Sequence, residues 1–328
     1  MNVLITGGTG FIGSRLALRS LERGDSVSVL GQKNNPAEAE NIKFLEKKGV
    51  KVFLKEITDR EALAEILKEI DVVYHLAAAQ HEMNIPDERF WEVNVEGTKN
   101  LLELCANANV KRFVHGSTIG VYGILDGEID ESSPCNPDNI YGVTKLEGEK
   151  VALSFSERVP VVVIRIPETY GPGDRRLLKL FKAIQKGVFF MIGSGRNLHH
   201  LIYVDDLIDG FFLAAQSEKA VGDVLLLAGE KAITTNEMVG IIADELGAKI
   251  PGLRAPLSLL WGVATIMEKT LRPLGIQPPL HRRRMDFFRK SFYYSLVKAK
   301  DILNYSPQVS FKEGVAKTAK WYKSMGYL

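Results

Sequence analysis

The stretch Val3-Leu4-Ile5-Thr6-Gly7-Gly8-Thr9-Gly10-Phe11-Ile12-Gly13 decides the fold, because it sets a glycine-rich turn directly between an apolar strand and a helix. In the spacing Gly8-x-Gly10-x-x-Gly13 one glycine makes the tight turn, the next lets the backbone approach a pyrophosphate, and the last lets helix pack on strand. The first N–H groups of a helix beginning near Phe11 have no partner within that helix, so they face the anion. A Gly-Gly pair alone is ordinary turn punctuation; the order strand, turn, helix is what gives it the dinucleotide reading.

Outward from this turn, short β-rich runs alternate with helical segments. Strands are expected at 3–6, 26–30, 50–54, 72–76, 112–116, 161–166 and 223–227. Between them, a helix over 11–23 ends at Gly24, a C-terminal cap, and one over 60–70 follows Asp59, an N-cap. This alternation predicts an α/β fold, a Rossmann-type doubly wound parallel sheet. From about Gly171 the Gly/Pro density rises and the alternation fails, so a smaller, mostly helical C-terminal substrate lobe is expected. The expected division is 1–170 and 199–230 for the NAD(P)-binding domain, and 171–198 and 231–328 for the substrate lobe. No internal repeat or low-complexity tract interrupts it.

Composition agrees with an enzyme that buries a substantial core: 328 residues, 45% hydrophobic and 25% charged. A net charge of +2 does not suggest a nucleic-acid binder, since the basic residues are scattered except at His281-Arg282-Arg283-Arg284 and Arg289-Lys290. Cys105 and Cys135 form no metal-like spacing and need no disulfide framework. The N-terminus enters a strand at once, without the pattern of a signal peptide, so a cytoplasmic location is the expectation.

The end of the second strand bears on the cofactor. An acidic residue about 20 positions after the glycines normally holds the adenosine ribose of NAD. Here the chain reads Leu30-Gly31-Gln32-Lys33, with no carboxylate. Lys33 can meet a 2′-phosphate, which favours NADP over NAD; a solvated loop lysine is the alternative.

Tyr141-Gly142-Val143-Thr144-Lys145 places a phenol and an ammonium one helical turn apart on the same face. The ammonium and a positive nicotinamide ring both favour the phenolate, drawing the tyrosine down from ~10 towards the working pH. Alone, Tyr-x-x-x-Lys is more often a packed tyrosine beside a solvated lysine. The preceding Phe113-Val114-His115-Gly116-Ser117-Thr118-Ile119-Gly120-Val121-Tyr122-Gly123 changes that, because it brings hydroxyls to the carboxyl end of a strand, the edge at which open α/β sheets bind ligands.

With these motifs the chain resembles the extended short-chain dehydrogenase/reductase family, which includes nucleotide-sugar epimerases and dehydratases, 3β-hydroxysteroid dehydrogenases and dihydroflavonol reductases. The resemblance rests on the glycine turn, His75-Leu76-Ala77-Ala78, Asn94-Val95-Glu96-Gly97-Thr98-Lys99-Asn100, Ser117-Thr118 with Val121-Tyr122-Gly123, Tyr141 with Lys145, Arg165 with Tyr170-Gly171-Pro172-Gly173, and Tyr203-Val204-Asp205-Asp206. It implies Tyr141 as general acid/base, Lys145 as the residue that holds the nicotinamide ribose and tunes the tyrosine, and Thr118 as the catalytic hydroxyl that bonds the reacting oxygen. It implies cofactor contacts from Gly7, Gly10, Phe11, Ile12, Gly13, Gln32, Lys33, Leu76, Ala77, Ala78, Asn94, Ser117, Tyr141, Lys145 and Pro167. Glu56-Ile57 stands where the family usually has Asp-Leu or Asp-Ile against adenine. His75 and His115 read as packing residues rather than metal ligands, and Asp205 and Asp206 as helix-capping residues at least as readily as substrate contacts.

Thr118, Glu168, Arg176 and Arg283 are the candidate substrate contacts. In the family's nucleotide-sugar enzymes an asparagine usually lies three residues after the strand arginine; Arg165-Ile166-Pro167-Glu168 has a carboxylate there, which repels a diphosphate unless a cation intervenes. Ile119-Gly120 after Thr118, in place of the Asp-Glu of the family's dehydratases, argues against dehydration. The stretches 277–288 and 298–307 resemble the 3β-hydroxysteroid and β-keto reductase branch more than the sugar epimerases. Hydride transfer with a hydrophobic, sterol-like or β-keto alcohol or ketone is therefore the first reading. The alternatives are a UDP-sugar 4-epimerase, whose diphosphate the arginines at 282–284 can clamp, and a non-catalytic dinucleotide sensor. The apolar run 255–267 is shorter than the ~20 residues that span a bilayer. It is expected to be a buried or lid helix in preference to one lying on a membrane surface. A homodimer through helices near 98–108 and 139–156 is also expected.

Overall fold

The computed structural model describes residues 1–80, 85–271 and 282–328, the side chains of 282–284 excepted. Seven strands form one parallel sheet: β1 (Asn2–Thr6), β2 (Ser26–Gly31), β3 (Lys51–Leu54), β4 (Val72–His75), β5 (Arg112–Thr118), β6 (Val161–Ile166) and β7 (Val224–Leu226). Their order is β7-β6-β5-β4-β1-β2-β3, so the winding reverses beside β1 and opens a crevice at its carboxyl end. All seven expected strands are present. β5 runs past the expected end at 116, because Ser117 and Thr118 still pair with Arg165 and Ile166 of β6.

The strands read as apolar runs because both faces are covered. Side chains alternate between two cores. Val3, Ile5, Val29, Tyr74, Val114 and Val162 pack with the helix Val204–Gln216 on one face. Leu4, Leu30, Val73, Phe113, Val161 and Val163 pack on the other with Leu101, Leu102 and Ala152 of the helices Gly97–Asn107 and Ile140–Ser154.

Outside this sheet the strand pairings are two residues long: Thr169–Tyr170 with Ile202–Tyr203, Leu198–His199 with Ile233–Thr234, and Met191–Ile192 with Arg254–Ala255. The helices Leu178–Gln185, Thr235–Leu246 and Phe311–Ser324 enclose a third core of Phe181, Met238, Ile242, Val315 and Tyr322. Two of these helices begin at a capping box, Thr234 with Glu237 and Ser310 with Glu313. Leu296, Ala299, Leu303 and Tyr305 return to the sheet and join its first core.

Of the two expected forms, buried or lid, the helix Leu257–Leu271 is not the buried one. It leans on the helix Arg282–Arg289 through Leu257, Leu260, Trp261 and Phe288, and only Ala264 and Glu268 are buried along it. Packed along one side, it cannot bury its other face. No helix among the described residues is long and apolar enough to cross a membrane.

Candidate active site

The glycine turn is built as an anion cradle. Gly7 carries the left-handed backbone (φ +69°), and a Cβ there would stand 2.7 Å from the backbone of Leu76 and Ala77. The tight turn is therefore at Gly7, one residue before the spacing placed it. Gly8 instead seats the loop against Val29, where a Cβ would come within 2.6 Å. Gly13 does what its position predicts, since a Cβ would reach 2.4 Å from the Gly7 carbonyl oxygen. A Cβ at Gly10 would touch only the Gly7 carbonyl oxygen, at 3.3 Å, leaving its other side open. Gly10 is the N-cap of the helix Phe11–Glu22, with no side-chain capping bond and no acidic residue in the first turn. The N–H groups of Phe11, Ile12 and Gly13 thus remain for a ligand, and the residues present fit a pyrophosphate.

At the end of β2, Gly31 lies against Thr9, Gln32 accepts a bond from Asn34 (2.9 Å), and Lys33 is exposed. Ile57 is buried beneath Gly97, whereas Glu56 turns out to an ion pair with Arg89 at 2.7 Å. Past β4, Leu76 and Ala77 donate to the carbonyl and hydroxyl of Thr6 (3.0 and 3.2 Å). Ala78 follows, and Asn94 then clamps Ala79 by accepting from its N–H (2.8 Å) and donating to its carbonyl (3.2 Å). The Asn94 amide also donates to Thr144 at 3.0 Å, tying this turn to the helix that carries Tyr141 and Lys145.

His75 spans Thr6 (2.7 Å) and Thr98 (2.9 Å), and burial pushes its pKa down to about 3, with Lys145 acting in the same sense. His115 is also fully buried, with ring centroids 5.3 Å apart from His75, and burial holds it well below the ordinary value. No group of three His, Cys, Asp or Glu among the described residues is placed to hold a metal ion.

The helix Ile140–Ser154 starts at Asn139, whose side chain accepts from the Gly142 N–H at 3.0 Å. A Cβ on Gly142 would lie 2.6 Å from the Gly120 carbonyl oxygen, so this helix presses directly on the turn that follows Thr118. Thr118 holds that turn by accepting from the Gly120 N–H (3.1 Å) and, like Tyr141, is half-buried. Lys145 is buried one turn beyond Tyr141, and its ammonium donates to the Gly116 carbonyl at 2.7 Å. Burial pushes the Lys145 pKa down to about 8, against the opposing pull of Glu149. Thr118 and the Lys145 ammonium thus meet the carboxyl end of β5, with Tyr141 one helical turn before Lys145.

Sequence reasoning missed Glu149. Its carboxylate accepts from Ser117 (2.8 Å) and from two nitrogens of Arg165 (3.2 and 2.5 Å), and Arg165 also donates to the Tyr122 hydroxyl at 2.7 Å. Glu149 lies one turn beyond Lys145 on the helix face shared with Tyr141, and that periodicity was the available signal.

Pro167 is buried at the exit of β6, and its carbonyl accepts from Thr169 at 3.1 Å. Glu168 follows, with one carboxylate oxygen 3.5 Å from Nδ1 of the buried His199. Burial raises the Glu168 carboxyl, but His199 and Arg176 outweigh it and leave the pKa below the ordinary carboxylate value. Arg176 is anchored to Asp174 (3.1 Å) and to the Thr169 carbonyl. The Arg283 side chain lies outside the described residues. Asp205 and Asp206 neither cap their own helix nor reach this site. Asp205 accepts from two nitrogens of Arg15, Nε and Nη2 (2.7 and 2.9 Å), and Asp206 accepts from the N–H groups of Gln308 and Val309.

A hydroxyl, a phenol and a buried lysine at the mouth of a dinucleotide crevice make this an NAD(P)-dependent enzyme of the extended short-chain dehydrogenase/reductase class. More narrowly, the chain belongs to the NAD dependent epimerase/dehydratase family, which it matches over residues 3–228. It is 30% identical over 364 residues to human short-chain dehydrogenase/reductase family 42E member 1, covering 99% of this chain and 88% of that one. It is 28% identical over 346 residues to the Arabidopsis thaliana 3beta-hydroxysteroid-dehydrogenase/decarboxylase isoform 2, covering 96% of this chain and 61% of that protein. Among solved structures, the UDP-glucuronic acid 4-epimerase of Bacillus cereus in complex with NAD superimposes with a TM-score of 0.81 at 26% identity, covering 99% of both chains.

Proposed function

We propose that the protein transfers hydride between a nicotinamide cofactor and a secondary alcohol or ketone carried on a hydrophobic, sterol-like or β-keto substrate. The nicotinamide, when bound, supplies or accepts the hydride. In the reducing direction Tyr141 gives its phenolic proton to the carbonyl oxygen, and in the oxidising direction it takes the hydroxyl proton. Thr118 donates a hydrogen bond to the same oxygen, fixing the substrate and stabilising developing charge. Lys145 holds the ribose and favours the phenolate, and Asn94 keeps the turn at 76–79 in place against the cofactor. The lobe 171–198 and 231–328, apart from the stretch 296–305 that packs on the sheet, supplies the substrate wall.

The observation that carries the substrate reading is Glu168. Its carboxylate sits beside His199 at the exit of β6, where a diphosphate meets like charge. Lys33, exposed at the end of a carboxylate-free β2 loop, supports NADP over NAD. The test is absorbance at the reduced-nicotinamide band with a hydroxysteroid and each cofactor, alongside calorimetry with uridine diphosphate. Steroid-dependent absorbance change without diphosphate binding is the expected result. Preference for NADP should disappear in Lys33→Ala.

A second reading, a nucleotide-sugar 4-epimerase, draws on the superposition with the Bacillus cereus enzyme along the whole chain. Tight uridine diphosphate binding without net cofactor reduction would make it primary.

A further inference from the structure

We propose that the outer face of the helix Leu257–Leu271 docks on an anionic lipid bilayer, lying in the plane of its surface. Leu259, Val263 and Ile266 are spaced four and three residues apart, so they form one stripe. They are 62%, 39% and 64% exposed, and Leu253, just before the helix, is 65% exposed. An isolated exposed leucine needs no explanation; an aligned apolar stripe marks a contact surface.

The charges around the stripe choose the occupant. Glu268, the one acid in the helix, is turned inward and buried, while Lys269 is exposed at its carboxyl end. Near its amino end, exposed Arg254 bonds to the Ser194 carbonyl and the Asn236 side chain rather than to an acid. Residues 249–290 contain nine Lys and Arg against two Asp and Glu, a balance of +7 in a chain whose total is +2. The rest of the protein is therefore net acidic, and in sequence the cationic excess falls in the segment that contains the apolar stripe. Exposed apolar side chains flanked by the exposed cations Arg254 and Lys269 are the chemistry of an interfacial helix on anionic lipid. The helix has 15 residues, about 22 Å of rise, too short to cross ~30 Å of hydrocarbon.

The docking element is continuous with the substrate wall. Arg289 lies over the Trp261 ring at 4.6 Å and joins the two helices. Phe287, on the second helix, packs a tilted ring on His199 with centroids 4.4 Å apart, and Lys290 pairs with Asp138 at 2.9 Å, beside the Asn139 cap of the catalytic helix. The inference stands on this surface alone and does not depend on the identity of the substrate.

The test is co-sedimentation of the full-length protein with phosphatidylcholine vesicles, with and without phosphatidylglycerol. The expected result is binding to the phosphatidylglycerol vesicles only, weakened by raised salt and about tenfold or more by the double variant Leu259→Ser with Ile266→Ser. Both positions are exposed, so unchanged circular dichroism serves as the folding control. Binding lost with salt but untouched by the variant would overturn the assignment of this face and leave only charge. Failure to bind either vesicle would overturn it outright. So would a variant that turns a dimer into a monomer in sedimentation velocity, because the occupant would then be a second copy of the chain.

Discussion

Lys145 sits where the catalytic chemistry and the cost of burial meet. Its ammonium is enclosed and bonded to the Gly116 carbonyl, and burial holds its pKa at about 8 against an ordinary 10.5. Between those values the folded protein binds fewer protons than the unfolded chain, so this group's contribution to stability rises with pH. Below pH 8 the full penalty for the buried charge applies. Relative to a Lys145→Met variant, wild-type stability should therefore improve by roughly 3 kcal/mol from pH 8 to 10.5, read from denaturant midpoints across that range. A flat difference would mean that the lysine is hydrated. For Tyr141→Phe, kcat should fall about 10²- to 10⁴-fold with cofactor affinity unchanged, because only the proton relay is removed. Unchanged turnover of a confirmed substrate would remove the tyrosine from the mechanism. The placement of Tyr141 and Lys145 on one helix and of Thr118 at the end of β5 was legible because each stands in a patterned motif. Glu149 was not, since a lone glutamate on a helix reads as a solvated charge until the fold sets Arg165 and Ser117 against it.

The helix Ile140–Ser154 turns three functional side chains towards the sheet, and Glu149 anchors it there. Removing that charge strands the buried Arg165 guanidinium, so Glu149→Gln should cost about 3–5 kcal/mol in urea unfolding. Replacing the pair together by Leu and Met should recover much of that loss, because the isolated charge is then gone. At the other end of the crevice, Gly13→Ala would drive a Cβ into the Gly7 carbonyl oxygen and displace the loop. Reduced-cofactor affinity, followed by nicotinamide fluorescence, should drop about tenfold or more while the chain stays folded. The sheet strands were readable because burial on both faces produces continuous apolar runs. The two-residue strands were not, since only tertiary approach pairs Thr169 with Ile202 or Leu198 with Thr234. Hydropathy likewise did not reveal the exposure of the helix Leu257–Leu271. A buried helix and an interfacial one differ in what packs against them more than in composition.

At the scale of the whole molecule, the helices Gly97–Asn107 and Ile140–Ser154 pack side by side over one face of the sheet. Leu104, Val151 and Leu153 on them are only half-buried in the single chain. A two-fold partner would bring the same pair of helices against itself, giving a four-helix interface in which every contact from one residue to another is repeated in reverse across the axis. Sedimentation equilibrium should accordingly give twice the chain mass of 36.4 kDa. Val151→Glu combined with Leu104→Glu should return it to one chain, because like charges would then face each other across the axis. Lys145 and Glu149 are buried against the sheet, so the charged variant should still bind cofactor. Retained binding in a monomer would place the dimer outside the catalytic machinery. A wild-type mass of one chain would reject the interface.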